Sequence, residues 1–238
     1  MSLYFIILGG TFLLPFVLSF DGKVAFYRKW KYFFPAALLA ATIFIPWDIN
    51  FTCRGVWGFS PGFLNGTTLF ALPVEEWVFF LVIPYASVFT YEVTGTYMHG
   101  LIQIRTARQI SKVLLGAALI AVLVFRQEAY PFWTFSFMAV LLILHLQVLK
   151  MDSLGWFYTA YLLVLMPFMI VNGMLTGTAM PGEVVWYNNS ETMGIRILTI
   201  PLEDFFYGFN LMLLNVTLYE ALRSGVSIRS GSPFGVRP

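Results

Sequence analysis

The chain has 238 residues, of which 59% are hydrophobic and only 11% are charged. Soluble domains carry about 25% charged residues, so this composition excludes an ordinary soluble protein and indicates an integral membrane protein. The net charge of +2 gives no reason to expect a nucleic-acid partner, and a single cysteine excludes an internal disulfide and a multi-cysteine metal site.

Seven apolar segments follow one another along the chain, and each is a candidate transmembrane helix. A span needs roughly 20 residues, and no alternating ten-residue strand pattern appears, so an all-α membrane protein is predicted. The first segment lacks a basic n-region and a cleavage site, so we expect a retained helix rather than a signal peptide. The segments cover about residues 3–20, 32–47, 69–91, 110–125, 132–149, 154–172 and 196–222.

The basic residues are distributed unequally between the two sides of this predicted bundle. Eleven Lys and Arg residues follow helices one, three, five and seven, whereas three lie on the other side. The positive-inside rule therefore predicts a multi-pass protein of the cell membrane with an external N-terminus and a cytoplasmic C-terminus. The segment 224–238 is rich in Ser, Gly and Arg and is expected to be a flexible cytoplasmic tail.

Two segments of the chain, 128 residues apart, repeat one motif. The pattern G-x6-P-V-E-E of residues 66–76 recurs as G-x6-P-L-E-D in residues 194–204. The offset predicts a three-helix unit over 1–95, a linking helix within 96–130 and a second three-helix unit over 131–223. Because one linking helix restores the chain direction, the two units are expected to be parallel, with both motifs on the same side of the membrane.

The paired carboxylates of this motif are the candidate catalytic groups. Acidic residues are costly near a bilayer and indicate function by default. A proline followed by acidic residues also suits the first turn of a helix, where the helix dipole favours a negative charge, so simple capping is the structural alternative. The duplication in a charge-poor chain favours acid–base chemistry between a protonated and an ionised carboxyl group.

Side chains near the motifs are the candidate substrate-binding groups, because aromatic faces can stabilise a cation in a dry pocket. Glu203, Tyr207 and Asn210 share one helix face by their spacing. Asp48 ends the second helix, and its counterpart lies near Asn172; either residue could join the site or cap the interface. The aromatic candidates are Trp77, Phe79, Phe80, Phe205, Phe206 and Tyr207.

Other segments lead to expectations about the surroundings of this site. The loops 48–68 and 173–195 are expected to fold back as lids over a cavity, and Glu92 and Glu220 to pair with Arg or Lys at the cytoplasmic side. The chain has no dinucleotide fingerprint, P-loop, metal-spaced His cluster or aspartate-rich diphosphate motif. No cofactor and no metal is therefore predicted, and the chemistry is expected to be proton transfer without redox.

These motifs resemble the membrane lycopene cyclases, and the resemblance covers nearly the whole chain. The chain is most similar to the fused form of the heterodimeric bacterial lycopene β-cyclase, which also forms the cyclase half of fungal bifunctional enzymes. The two copies of the motif differ at two places. Glu75-Glu76 in the first copy corresponds to Glu203-Asp204 in the second, and Phe80 corresponds to Gly208. The resemblance is carried by PWD at 46–48, G-x6-PVEEWVFF at 66–80, NGMLT at 172–176, YN at 187–188 and GIR-x4-PLEDF at 194–205.

The resemblance implies an isomerase that cyclises the ψ-ends of lycopene to β-rings, giving γ-carotene and then β-carotene. Its implied partners are these carotenoids from the lipid phase, membrane lipids and other enzymes of the carotenoid pathway; its implied fold is similar to that of the membrane prenyltransferases. Glu75 and Glu203 are then the primary acid and base, in an order left open, and Glu76 and Asp204 tune them. A carotenoid hydratase and a non-catalytic carotenoid-binding protein are the alternatives.

Overall fold

A computed structural model describes residues 2–98, 102–149 and 153–224. Over these ranges the chain folds into seven α-helices and three two-stranded antiparallel ladders. The helices are α1 (Leu3–Leu18), α2 (Trp30–Cys53), α3 (Val74–Tyr97), α4 (Ile104–Val124), α5 (Ala129–Ile143), α6 (Leu154–Leu175) and α7 (Leu202–Ser224). The strands are β1 (Trp57–Phe59), β2 (Thr68–Leu69), β3 (Leu72–Pro73), β4 (Val185–Tyr187), β5 (Arg196–Ile197) and β6 (Ile200–Pro201).

The predicted all-α membrane fold is confirmed. In the described part of the chain, five helices are long and apolar enough to cross a membrane; they comprise α2 to α6, with α5 continued by a π-helical segment to Leu149. Helix α1 is shorter, and α7 carries several buried polar residues. The predicted tail lies outside the described residues, except for Ser224 at the end of α7.

The repeated motif folds into the same hairpin and helix start in both halves. Strands β1, β2 and β3 recur 128 residues later as β4, β5 and β6, so the segments predicted at 69–91 and 196–222 begin with a hairpin rather than a helix. Gly66 and Gly194 have φ of 90° and 70°, a left-handed conformation that glycine adopts without a steric penalty. Pro73 and Pro201 end the hairpins directly before α3 and α7, one position earlier than predicted.

The two three-helix units are interleaved rather than placed side by side. Helix α1 packs on α3 and α5 packs on α7 within the units, whereas α2 packs on α7 and α6 packs on α3 across them. Helix α4 packs on α5 and α6. The two loops predicted as lids pair with each other, because β1 and β4 form an antiparallel ladder that sets Trp57 opposite Tyr187.

At the far end of α3 and α7, the repeated Tyr-Glu pairs bind each other across the two units. The Tyr91 hydroxyl donates to Glu220 Oε1 at 3.1 Å, and the Tyr219 hydroxyl donates to Glu92 Oε1 at 2.7 Å. These two reciprocal hydrogen bonds connect α3, the third helix of the first unit, to α7, the third helix of the second.

Basic side chains complete this arrangement around the fully buried Glu92. Lys29 Nζ forms a short ion pair with Glu92 Oε2, and Arg223 Nη1 binds Glu92 Oε1 at 2.7 Å. We call Lys29, Glu92, Tyr219 and Arg223 the Glu92 cluster. The predicted pairing of Glu92 with Lys and Arg is confirmed, and Arg223 also lies 3.7 Å from Glu220.

Candidate active site

An elongated cavity of about 130 Å³ lies among α1, α3, α6 and α7, beneath the β1–β4 ladder. Its lining on α3 runs from Glu76 to Thr90, which corresponds to about 21 Å at 1.5 Å per residue. Acidic and aromatic side chains line the end next to the ladder, and apolar or small side chains line the rest. The second part is lined by Thr11, Ile83, Ala86, Ser87, Thr90, Val164, Pro167, Phe168, Val171, Gly208 and Leu211.

Two carboxyl groups from different helices meet at the acidic end of the cavity. Asp48 on α2 and Glu76 on α3 are both buried, and their side chains are hydrogen-bonding neighbours. The Trp57 indole donates to Asp48 Oδ1 at 2.5 Å, and the Tyr4 hydroxyl donates to Glu76 Oε2 at 2.5 Å. Two carboxyl groups in contact in a dry site share a proton, because both cannot be ionised together.

Asp204 on α7 is the third carboxylate in the cavity, and it has a different environment. The Tyr130 hydroxyl donates to its Oδ1 at 2.6 Å, while Asn172 Nδ2 and the Tyr187 hydroxyl donate to its Oδ2 at 2.6 and 2.9 Å. Burial raises the pKa of Tyr187 well above its ordinary value, and the Asp204 charge raises it further, so this phenol stays a donor. Three donors to one carboxylate favour its ionised form.

Aromatic rings enclose the space among the three carboxylates. Tyr207 lies within electrostatic reach of Asp48, Glu76 and Asp204, and its ring centroid is 6.0 Å from that of Trp57. Trp57 in turn lies 4.9 Å from Tyr130, measured between ring centroids. Residues of both repeats therefore contribute to one cavity, with the Asp48–Glu76 carboxyl pair on one side and the hydrogen-bonded Asp204 carboxylate on the other.

The structure places Glu75 and Glu203, the predicted primary acid and base, outside this cavity. The backbone N–H of Asn65 donates to Glu75 Oε1 at 2.7 Å, and the N–H of Met193 donates to Glu203 Oε1. These contacts are equivalent in the two repeats and hold the loop before each hairpin. Adjacent residues on a helix point about 100° apart, so only one carboxylate of each pair can face the cavity.

The other predicted residues divide into two groups. Asp48, Phe79, Asn172 and Tyr207 line the cavity. The remaining five lie outside its lining: Trp77 contacts Phe70, Phe80 contacts Phe44, Phe205 contacts Phe168, Phe206 contacts Phe135, and Asn210 donates to the Thr134 carbonyl. Asn210 lies on the same face of α7 as Glu203, and this face packs against the rest of the protein. Tyr207 is one turn from Asp204 and lines the cavity with it.

Six aromatic residues of the cavity lining were not singled out as site residues from the sequence: Tyr4, Trp57, Phe59, Tyr130, Phe168 and Tyr187. Tyr4 and Tyr130 lie near the starts of α1 and α5, and Trp57 and Tyr187 face each other in the β1–β4 ladder. The available signal was that aromatic residues occur near the start of each repeat and in each predicted lid, although these four do not occupy equivalent positions at the offset of 128. That signal does not show which carboxylate each of them binds.

A family model described as "Lycopene cyclase" matches residues 1–94 and 127–222. These two segments are the two halves of the internal repeat, and α4 lies between them. The comparisons with curated proteins and with solved structures return no match, and the expected similarity to the membrane prenyltransferase fold stays a prediction. Because the matched residues cover well over half of the chain and confirm the resemblance, the protein belongs to the lycopene cyclase family.

Proposed function

We propose that this protein is a lycopene β-cyclase that uses Asp48, Glu76 and Asp204 as its acid–base groups. The observation that carries the proposal is the arrangement of the cavity, in which two neighbouring carboxyl groups and a separate carboxylate lie at one end of a long apolar channel. A linear polyene fits such a channel, with its terminal isoprene units between the two acidic groups.

The Asp48–Glu76 pair supplies the proton that starts the reaction. The proton adds to the terminal C=C of the substrate and leaves a tertiary cation, and the pair becomes fully ionised. An internal double bond attacks the cation, so a C–C bond closes the six-membered ring and the positive charge moves to a ring carbon. The negative charge left on the pair and the faces of Phe79 and Tyr207 stabilise this cation.

Asp204 removes the proton that ends the reaction. Its three hydrogen-bond donors favour the ionised form, which can accept a proton. When it takes a proton from the ring carbon next to the cation, the electrons of the broken C–H bond form the ring double bond. One proton enters and one leaves, so the product is an isomer of the substrate, and no oxidant or reductant is needed.

Pigment analysis in a lycopene-accumulating host tests this function. We expect the chain to convert lycopene to cyclic carotenoids of unchanged mass, with one deuterium retained for each ring when the reaction runs in deuterated water. Products that are heavier by one water per end would identify a hydratase instead. Lycopene that is bound but recovered unchanged would identify a binding protein, and either result would contradict the cyclase proposal.

We also propose that the N-terminus and the acidic end of the cavity lie on the external side. The bias of eleven basic residues to three supports this orientation, and the Glu92 cluster then lies at the cytoplasmic side. A topology reporter fused after Arg223 is expected to read out as cytoplasmic. An external signal from that reporter would reverse the orientation of the whole bundle.

A further inference from the structure

The cavity occupies one side of a repeated fold, and different residues occupy the equivalent places on the two sides. Asn172 and Gly208 line the cavity in the second repeat. The residues 128 positions earlier are Phe44 and Phe80, which are buried with their ring centroids 6.4 Å apart. Phe137 adds a third ring, 5.6 Å from Phe44. Aromatic packing therefore fills the place that corresponds to the open cavity.

Gly208 lies in the interior of α7, where glycine is less favourable than alanine and needs a local reason. Close approach of two helix backbones is the usual reason in membrane proteins. A close approach to backbone occurs at Gly155, where an added Cβ would lie 2.2 Å from the carbonyl oxygen of Ile102, just before α4. At Gly208, an added Cβ would meet only the Phe168 ring among the described residues, at 3.5 and 3.8 Å.

The absence of a side chain at Gly208 therefore enlarges the cavity and does not serve the close approach of another backbone segment. Gly208 is one helical turn from Asp204, so the two positions lie on the same face of α7. Phe168 on α6 forms the opposite wall, and Phe205 packs against it with a centroid separation of 4.9 Å. A large side chain at position 208 would lie between the acidic end and the apolar channel.

We propose that Gly208 is a specificity-determining residue: with Phe168 it forms the slot through which the polyene passes from the acidic end into the channel. Because the Phe44–Phe80 pair closes the equivalent slot, the protein holds one polyene and cyclises one end in each binding event. The second end then requires release and reversed re-entry of the monocyclic product. This inference rests on the proposed cyclase function.

Substitutions of graded size at position 208 test the slot. We expect Gly208→Ala to keep cyclisation and Gly208→Phe to lower it at least about 10²-fold, the scale of loss when a substrate is misplaced by about 1 Å. The matched control is Gly116→Phe, at an exposed glycine of α4 whose added Cβ meets nothing within 4 Å. Gly208→Phe as active as Gly116→Phe would overturn the proposal.

A second-site variant separates a blocked slot from a damaged fold. Gly208→Leu is expected to lower cyclisation, and Gly208→Leu combined with Phe168→Ala is expected to recover at least about half of the loss in free energy, because the two changes share one space. Absence of any recovery in a double variant that unfolds at the wild-type temperature would count against the slot.

Substrate binding separates failure of this inference from failure of the proposed function. Lycopene binding to the purified protein in lipid nanodiscs can be followed by the induced circular dichroism of the polyene. If the wild-type protein binds lycopene without cyclising it, the proposed function fails, and loss of binding in Gly208→Phe still supports the slot. Equal binding by the wild type and Gly208→Phe would overturn the slot whatever the activity.

An isotope-dilution experiment tests release between the two ring closures. Labelled lycopene is supplied together with an excess of unlabelled γ-carotene, and the label in β-carotene is followed by mass spectrometry. We expect strong dilution of the label, because labelled γ-carotene leaves the cavity and mixes with the pool. Undiluted label in β-carotene would show that both ends are closed without release and would overturn the one-end inference.

Discussion

Replacement of Asp204 by asparagine is expected to lower the rate of lycopene cyclisation by about 10²–10⁴-fold, the usual contribution of a positioned general base. The amide keeps the size of the side chain but cannot accept the ring proton. Glu76→Gln is expected to have an effect of the same order, because it removes one carboxyl group from the pair that we propose as the source of the initiating proton. Initial rates on lycopene in nanodiscs, per folded protein, measure both effects.

The neighbouring carboxylates provide matched controls for these variants. Glu203 and Glu75 directly precede Asp204 and Glu76 in the sequence, but their side chains lie outside the cavity lining. Glu203→Gln and Glu75→Gln are therefore the control variants. Each amide retains an oxygen that can accept from the loop N–H of Met193 or Asn65. We expect losses of stability of about 1 kcal/mol and cyclisation rates close to the wild type. If instead the controls lose activity and Asp204→Asn keeps it, the assignment reverts to Glu75 and Glu203.

The second large effect concerns stability and arises in the Glu92 cluster. Glu92→Leu is expected to lower the free energy of unfolding by about 3 kcal/mol, the low end of the range for breaking a buried ion pair. The low end applies because the Lys29 and Arg223 side chains are 22% and 23% exposed and can turn toward solvent once their partner is lost. Thermal unfolding in detergent, compared with the wild-type protein, measures the change.

Glu220→Gln is the matched control for this cluster. Glu220 occupies the equivalent position in the other repeat, but its ion pair with Arg223 is longer, at 3.7 Å. The amide can still accept from the Tyr91 hydroxyl, so we expect a clearly smaller destabilisation. Both variants should keep the cyclisation rate per folded protein, because Glu92 is about 24 Å along α3 from Glu76. Equal stability of Glu92→Leu and the wild type would contradict the structural role of the cluster.

The repeat shows how far prediction from the sequence extends. Glycine, proline and glutamate at a fixed offset predicted two equivalent three-helix units, with a proline in the first turn of the third helix of each. The structure shows the same hairpin and helix start in both copies, and these hairpins were not predicted. The predicted third and seventh helices began at about residues 69 and 196, whereas α3 and α7 begin at Val74 and Leu202. The prediction was wrong there because short apolar hairpin strands and the first turn of an apolar helix have the same composition.

The assignment of roles within Glu75-Glu76 and Glu203-Asp204 could not be made in this way. Both members of a pair are acidic and adjacent, and the direction in which each points depends on which helices pack on α3 and α7. Tyr4, Trp57, Tyr130 and Tyr187 reach these carboxylates from distant parts of the chain. Composition and spacing carry no information about such contacts.

The sequence by itself determined that this is a membrane protein with a duplicated acidic motif and the signature of the lycopene cyclase family, because these properties depend on composition and on short fixed spacings. Only the tertiary structure decided that Asp48, Glu76 and Asp204 share one cavity and that Phe44 and Phe80 fill the place equivalent to Asn172 and Gly208. Interleaved packing of the two repeats brings side chains from six helices and two strands together, and small differences in side-chain volume decide which side remains open.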